Sequence, residues 1–312
     1  MPLNPIVARV REYRVATGFT PLYTMSIDEA RRSDAETEAT VWDWHKQPDE
    51  VFDLEFPGPA GPQALRVYRP HSDGALPVVV YFFGGGWVVG SLNTSDSICR
   101  ALSTMTPCVV VSVGYRLAPE HPFPAAIDDC YAGLKWVTDH AAEFGGDSER
   151  IVVAGDSSGG NLAAVMALIA RDDDDGPPIS AQVLVYPPFR ADGEETQSVR
   201  QNKDPMFFNA HSSAWFWSVY LADPADRQSP LASPLFAADH GGLPAALVIT
   251  AEYCPLRDEG EAYADALSQA GVPVEYHRYT DQAHGFVAMA SILDTARDAL
   301  EEMAEFVRRR SE

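Results

Sequence analysis

The stretch Ile151-Val152-Val153-Ala154-Gly155-Asp156-Ser157-Ser158-Gly159-Gly160-Asn161 constrains this chain more than any other. A valine-rich apolar run passes through G-x-S-x-G into a helical pattern. A strand that turns so sharply into a helix needs glycines, because larger side chains would collide at the corner. A serine hydroxyl is a weak nucleophile, and such a corner exposes it to a base and to a carbonyl carbon. The helix that follows also directs its positive end at the same place. The register of the motif makes Ser157 the candidate nucleophile and leaves Ser158 to supply a backbone N–H. Outside this context the same glycines would read as a flexible turn.

Around this corner, short apolar runs alternate with helical patterns. Val51 to Phe56 and Ala64 to Tyr68 read as an opening antiparallel pair, with Pro62 and neighbouring glycines at the turn. Further strands are expected at Pro77–Phe83, Cys108–Val113, Ile151–Ala154, Ala181–Tyr186, Ala246–Ala251 and Val274–Tyr279. Most are rich in valine, as strands buried on both faces are. Helices are expected at Ser95–Met105, Ala125–Phe144, Asn161–Arg171, Asp258–Ala270 and Ser291–Arg309. This alternation predicts an α/β fold, a mostly parallel central sheet of about eight strands with helices on both faces. Sites in such sheets form at the carboxyl ends of the strands.

Two segments break the pattern. Residues 1–45 read as helical, with Ser26 and Glu29 placed for a capping box. Residues 189–235 carry Phe207, Phe208, Trp215, Phe216, Trp217 and Tyr220 among polar residues and prolines. Such aromatic content argues against a disordered linker. The expected organisation is a core of 46–188 and 236–312, capped over its strand ends by 1–45 and the insertion 189–235. Most of these aromatics are expected to pack the cap onto the body, and the rest to line a pocket.

Of 312 residues, 46% are hydrophobic, enough for a large core, and the net charge is −22. No cluster of Lys and Arg suggests a nucleic-acid groove. The acidity reads as solubility, and Asp172 to Asp175 as a solvated helix exit. No apolar stretch reaches about 18 residues, so no membrane span is expected. The arginine-bearing N-terminus does not resemble a signal peptide, which suggests a cytoplasmic setting. The four cysteines, at 99, 108, 130 and 254, form no zinc-like or disulfide-like spacing. The sequence is compatible with a homodimer.

Two further segments carry chemistry. Phe82-Phe83-Gly84-Gly85-Gly86-Trp87 ends a strand in three glycines, which lets main-chain N–H groups face a developing oxyanion. Each such donor is typically worth about 3 kcal/mol in the transition state. No GxGxxG or Walker pattern accompanies the loop, which weakens a phosphate-cradle reading. Asp281-Gln282-Ala283-His284-Gly285-Phe286 follows the last strand. Of eight histidines, His284 is the best general base, since it stands on a strand-end loop after the nucleophile in chain order. His121, between Glu120 and Pro122, reads as a turn residue.

The Gly155–Gly160 corner, the glycine loop, Tyr115-Arg116-Leu117-Ala118-Pro119-Glu120 and His284-Gly285-Phe286 resemble the hormone-sensitive-lipase-like branch of α/β-hydrolase esterases. The likeness runs from about residue 51 to the C-terminus. It implies Ser157 as nucleophile, His284 as base, N–H donors from Gly85, Gly86 and Ser158, a short-chain or aromatic ester as substrate, and no cofactor. The candidate pocket residues are Phe83 and Trp87 from the loop, with Phe207, Phe208 and Trp215 from the insertion.

Two departures from the family pattern stand out. Phe83 replaces the histidine that opens the family's His-Gly-Gly-Gly loop. More seriously, Cys254-Pro255-Leu256-Arg257-Asp258-Glu259-Gly260 places Cys254 where the family has its catalytic aspartate. Losing the acid in other triads lowers turnover about 10⁴-fold. Three readings follow: Cys254 ionises beside His284; Asp258, Glu252 or Asp281 takes over; or hydrolysis has given way to another reaction. The function classes are accordingly a serine carboxylic-ester hydrolase, a repurposed cyclase or dehydratase using His284 and the amide donors, and a ligand-binding receptor on a silent hydrolase.

Overall fold

The computed structural model describes residues 2–38 and 46–311. The N-terminal part holds α1 (Pro5–Thr17) and α2 (Ile27–Glu38). The strands are β1 (Glu50–Gly58), β2 (Gly61–Arg69), β3 (Leu76–Phe82), β4 (Val109–Val113), β5 (Gly146–Asp156), β6 (Ile179–Val185), β7 (Ala245–Tyr253) and β8 (Val274–Ala283). Between them run α3 (Asp96–Met105), α4 (Ala125–His140), α5 (Ser158–Asp172), α6 (Gln197–Gln201), α7 (Ala210–Tyr220) and α8 (Arg257–Gln269), and α9 (Asp294–Arg310) closes the chain. The strands form one sheet in the order β1-β2-β4-β3-β5-β6-β7-β8. β1 pairs antiparallel with β2 and β2 with β4, and every other pairing is parallel.

Strand alternation builds the two cores. Val78, Val80 and Phe82 face the layer made by α4, α5 and α8, while Val79 and Tyr81 face α3 and α9. The same alternation runs through β5, where Ile151 and Val153 point one way and Val152 and Ala154 the other. Both faces are therefore covered, which is why these runs are apolar throughout rather than alternating with polar residues. Cys99, Cys108 and Cys130 are buried among these side chains, as expected of small hydrophobes.

Several boundaries move. β5 starts at Gly146, five residues before its apolar run, because Gly146 pairs with Leu76 across a register shift. The expected helix 125–144 ends at His140, and a 3₁₀ turn, Ala141–Phe144, closes at Gly145 with φ 79°. The Asp172–Asp175 run is a solvated helix exit as expected, with Asp172, Asp174 and Asp175 exposed, while Asp172 pairs with Arg171 and Asp173 accepts from the Tyr131 hydroxyl at 2.6 Å and from Lys135. In the N-terminal part, Ser26 and Glu29 exchange the reciprocal bonds of a capping box. The part of the helical expectation that falls on residues 39–45 lies outside the described residues.

The N-terminal helices grip the strand ends and the insertion. Asn4 bonds Asp281, Arg11 pairs with Asp204, and Arg14 donates to the Met206 carbonyl at 2.6 Å. Arg31 donates to the carbonyls of Val88 and Ala118 and pairs with both oxygens of Glu120. No helix among the described residues is long and apolar enough to cross a membrane.

Candidate active site

Ser157 sits between the last residue of β5 and the first turn of α5 with φ 54° and ψ −125°, a conformation rare for a residue with a Cβ. Its N–H donates to the Val185 carbonyl at 2.8 Å, which ties the corner to β6. The glycines are required by close approach. A Cβ on Gly159 would stand 1.9 Å from the Phe82 carbonyl oxygen, and one on Gly155 2.3 Å from the Gly159 backbone. Ser157 occupies the N-cap position of α5, yet its hydroxyl caps nothing. Instead Ser157 Oγ lies 3.0 Å from His284 Nε2.

His284 follows β8 and is held by Gly285, whose φ is 81°. Phe208 stacks on its ring at 4.2 Å and 25°, and Tyr186 packs at 4.7 Å. This enclosure disfavours the imidazolium and pushes the pKa down to about 3.

On its other side, His284 Nδ1 meets Cys254 Sγ at 3.2 Å. That sulfur also accepts the Leu256 N–H at 3.4 Å. Burial pushes the Cys254 thiol well above its ordinary pKa; the Leu256 N–H and Arg257 oppose this, and Glu259 adds to it. Both partners are thus driven toward their neutral forms, which goes against the thiolate reading. The three candidate carboxylates are engaged with other partners. Asp258 accepts from the Ser198 N–H and pairs with Arg257, Glu252 pairs with Arg257 and Arg278, and Asp281 bonds Asn4 and Gln282.

The glycine loop leaves β3 through Gly85 (φ 124°), Gly86 (φ 60°) and Trp87 (φ 60°). The Gly85 carbonyl accepts the N–H groups of Val88 and Val89, closing a tight turn. Among the described residues, none accepts a hydrogen bond from the N–H of Gly85 or Gly86. Gly86, Ser157 and Ser158 meet in a niche of about 10 Å³, also lined by Trp87, Phe208 and Phe216. It adjoins a cavity of about 300 Å³ through the shared residues Ser213, Trp217 and Leu256.

Three expected pocket residues are not part of this niche's lining. Phe83 is buried and stacks on Tyr115 at 4.3 Å and 15°, because it is turned into the layer above β4. Phe207 is partly buried against the core cluster that also holds Tyr186, Cys254 and Phe286. Trp215 lies edge-on against Phe216 at 4.8 Å, so Phe216 takes the position facing Gly86. The lining also includes Pro188, Ser213 and Leu256, for which the sequence offers no signal, and Trp217. His121 sits in a turn, its N–H donating to the Leu117 carbonyl.

A serine at a sharp strand-to-helix corner, an imidazole after the last strand and a glycine loop beside them define an α/β-hydrolase. Residues 79–288 match the family model described as alpha/beta hydrolase fold. The chain belongs to this family, in its hormone-sensitive-lipase-like branch. It is 44% identical to Esterase LipI of Mycobacterium tuberculosis over 254 residues, covering 80% of this chain and 78% of the relative. It is 35% identical to Ethyl acetate hydrolase of Pseudomonas putida, with 98% of each chain covered. The solved hyperthermophilic esterase from the archaeon Pyrobaculum calidifontis superposes with a TM-score of 0.94 at 43% identity, over 99% of each chain.

Proposed function

We propose that this protein is a carboxylic-ester hydrolase acting through an acyl-enzyme on Ser157. The observation that carries the reading is the 3.0 Å contact between Ser157 Oγ and His284 Nε2, made by a hydroxyl that declines its helix-capping role. In the first half-reaction Oγ attacks the ester carbonyl while Nε2 takes its proton. The tetrahedral intermediate places its oxyanion toward the N–H groups of Gly85, Gly86 and Ser158. The intermediate collapses, and the departing alkoxide receives the proton from Nε2. Water then repeats the sequence on the acyl group and frees Ser157. The relatives named as esterases support this reaction class.

The niche at Ser157 holds about one water-sized volume. This favours a small acyl group, with the alcohol part extending toward the adjoining cavity. Turnover of p-nitrophenyl acetate and butyrate by the protein and by Ser157→Ala tests the proposal. A loss of at least 1,000-fold (the order of ~10³ or more expected when a triad member is removed) is expected in the variant, and equal rates would remove the reading.

The neutral Cys254–His284 pair favours a second reading, in which His284 moves a proton in a cyclisation or dehydration without an acyl-enzyme. The retained Ser157–His284 contact weighs against it, and against a silent ligand receptor. Mass spectrometry after brief mixing with an activated ester separates these readings, because only the hydrolase acquires an acyl adduct at Ser157.

A further inference from the structure

The peptide unit joining Phe83 to Gly84 is gripped at both ends. Its carbonyl accepts a hydrogen bond from the Tyr115 hydroxyl at 2.8 Å. Its N–H donates to Asp156 Oδ1 at 3.2 Å. That carboxylate oxygen is itself fixed by the Tyr81 hydroxyl at 2.9 Å and the Ser95 hydroxyl at 3.0 Å. The next residues along the chain are Gly85 and Gly86, the candidate oxyanion donors, and the residue after Asp156 is Ser157. One peptide plane therefore relates the donors to the nucleophile.

The two grips differ in what else could replace them. Asp156 is part of the corner itself and moves with Ser157. Tyr115 comes from the loop after β4, so it ties the glycine loop to a separate strand. Phe83 offers no side-chain donor or acceptor with which residue 83 could hold its own loop. Both Phe83 and Tyr115 are buried, so a Phe83 carbonyl released by Tyr115 would find no bulk water. The glycines at 84, 85 and 86, which lack a Cβ, give the loop other accessible shapes to relax into once that peptide is free to rotate.

We propose that Tyr115 is a positioning residue for the oxyanion donors, acting through the Phe83–Gly84 peptide. The proposal rests on Ser157 acyl chemistry as described above. Its contribution appears when negative charge develops on the substrate oxygen, and is absent from ground-state binding.

Tyr115→Phe tests this, because the ring and its stack on Phe83 remain and only the hydroxyl is lost. Rates on p-nitrophenyl acetate are normalised to the sites titrated by a fluorophosphonate. The expected result is a kcat reduced by about 10- to 100-fold, part of the ~10²–10³ that one oxyanion donor commands, with KM within twofold. Affinity for a trifluoromethyl ketone, whose adduct carries the oxyanion, falls by the same factor. An unchanged kcat, or a lower kcat with undiminished ketone affinity, overturns the proposal. Tyr115→Met, a smaller apolar side chain without a donor, carries the same expectations should the phenylalanine variant fold poorly. Failure of the Ser157 reading would look different: the unaltered protein would show neither fluorophosphonate labelling nor Ser157-dependent turnover.

Discussion

Restoring a carboxylate at position 254 should raise esterase turnover steeply. The imidazole must hold its proton on Nδ1 for Nε2 to accept from Ser157, and an acceptor facing Nδ1 fixes that tautomer. Cys254 Sγ does this poorly. Buried as a neutral thiol, it can itself donate to Nδ1, which would leave the proton-bearing nitrogen facing Ser157. It also brings no charge to stabilise the imidazolium that forms during attack. In Cys254→Asp, one carboxylate oxygen replaces Sγ 3.2 Å from Nδ1, and the second can take the Leu256 N–H that now reaches Sγ at 3.4 Å. Loss of the acid elsewhere costs about 10⁴ in rate, near 5 kcal/mol. Part of that is forfeited here, because the new carboxylate must be buried with Glu259 nearby, against the Leu256 N–H and Arg257 on the favourable side. A gain of about 100- to 1,000-fold in kcat remains, with KM little changed.

The pH profile gives an independent check. The working base must be unprotonated, so activity falls as pH drops through the His284 pKa. Burial holds that pKa at about 3, which places the acid limb far below the range of an ordinary histidine. An aspartate at 254 stabilises the imidazolium and moves the limb upward, toward neutrality. Steady-state hydrolysis of p-nitrophenyl acetate from pH 4 to 9 checks this: the wild type shows no acid limb in that range, and Cys254→Asp brings one into it. A correctly folded Cys254→Asp with a kcat less than threefold higher and an unmoved acid limb would refute the reasoning.

Two further outcomes follow from the geometry. In Gly86→Ala, the new Cβ would stand 2.1 Å from Phe216 Cδ1 at a backbone φ of 60°, so kcat/KM should fall about 100-fold or more, within the range of a lost oxyanion donor; adding Phe216→Ala should recover part of the loss in a double-mutant cycle, and strict additivity would contradict a steric cause. Glu259 is a buried carboxyl whose Oε2 accepts the N–H groups of Phe189 and Arg190, and burial raises its pKa to about 8. Between its ordinary value near 4.5 and about 8, the native state retains a proton that the unfolded chain releases, so wild-type stability falls as pH rises through this window. Glu259→Gln removes that titration, and urea unfolding should show the variant gaining on wild type between pH 5 and 8 by a few kcal/mol at most, at about 1.4 kcal/mol per pH unit; a pH-independent difference would refute the assignment.

Much of the fold was legible because strands buried on both faces advertise themselves as valine runs, and G-x-S-x-G marks a backbone crossing that admits no Cβ. His284 was legible from chain order. The pocket was not. Trp215, Phe216 and Trp217 are consecutive on α7, and periodicity does not choose among neighbours when the helix has no separate polar and apolar faces. Only packing reveals that Phe216 faces Gly86 while Trp215 turns aside. Phe83 misled for a related reason. Phe83 lies one residue beyond β3, where the strand alternation no longer holds, and its ring stacks on Tyr115 in the core.

Least legible was the work of the segment after β7, since many of its contacts span a long stretch of chain. Cys254 Sγ meets His284, while the Cys254 carbonyl accepts from Asn202 and the Pro255 carbonyl from the Ser198 hydroxyl. Asp258 receives the Ser198 N–H, and Glu259 those of Phe189 and Arg190. The residues that support the imidazole thus also anchor the insertion whose Phe208 stacks on it. The acidic side chains beside position 254 were plausible substitutes for a missing acid by sequence distance alone. The oxygens of Asp258, Glu252 and Asp281 are already committed, to Ser198, Arg257, Arg278, Asn4 and Gln282, and this leaves the sulfur of Cys254 alone with Nδ1 among the described residues.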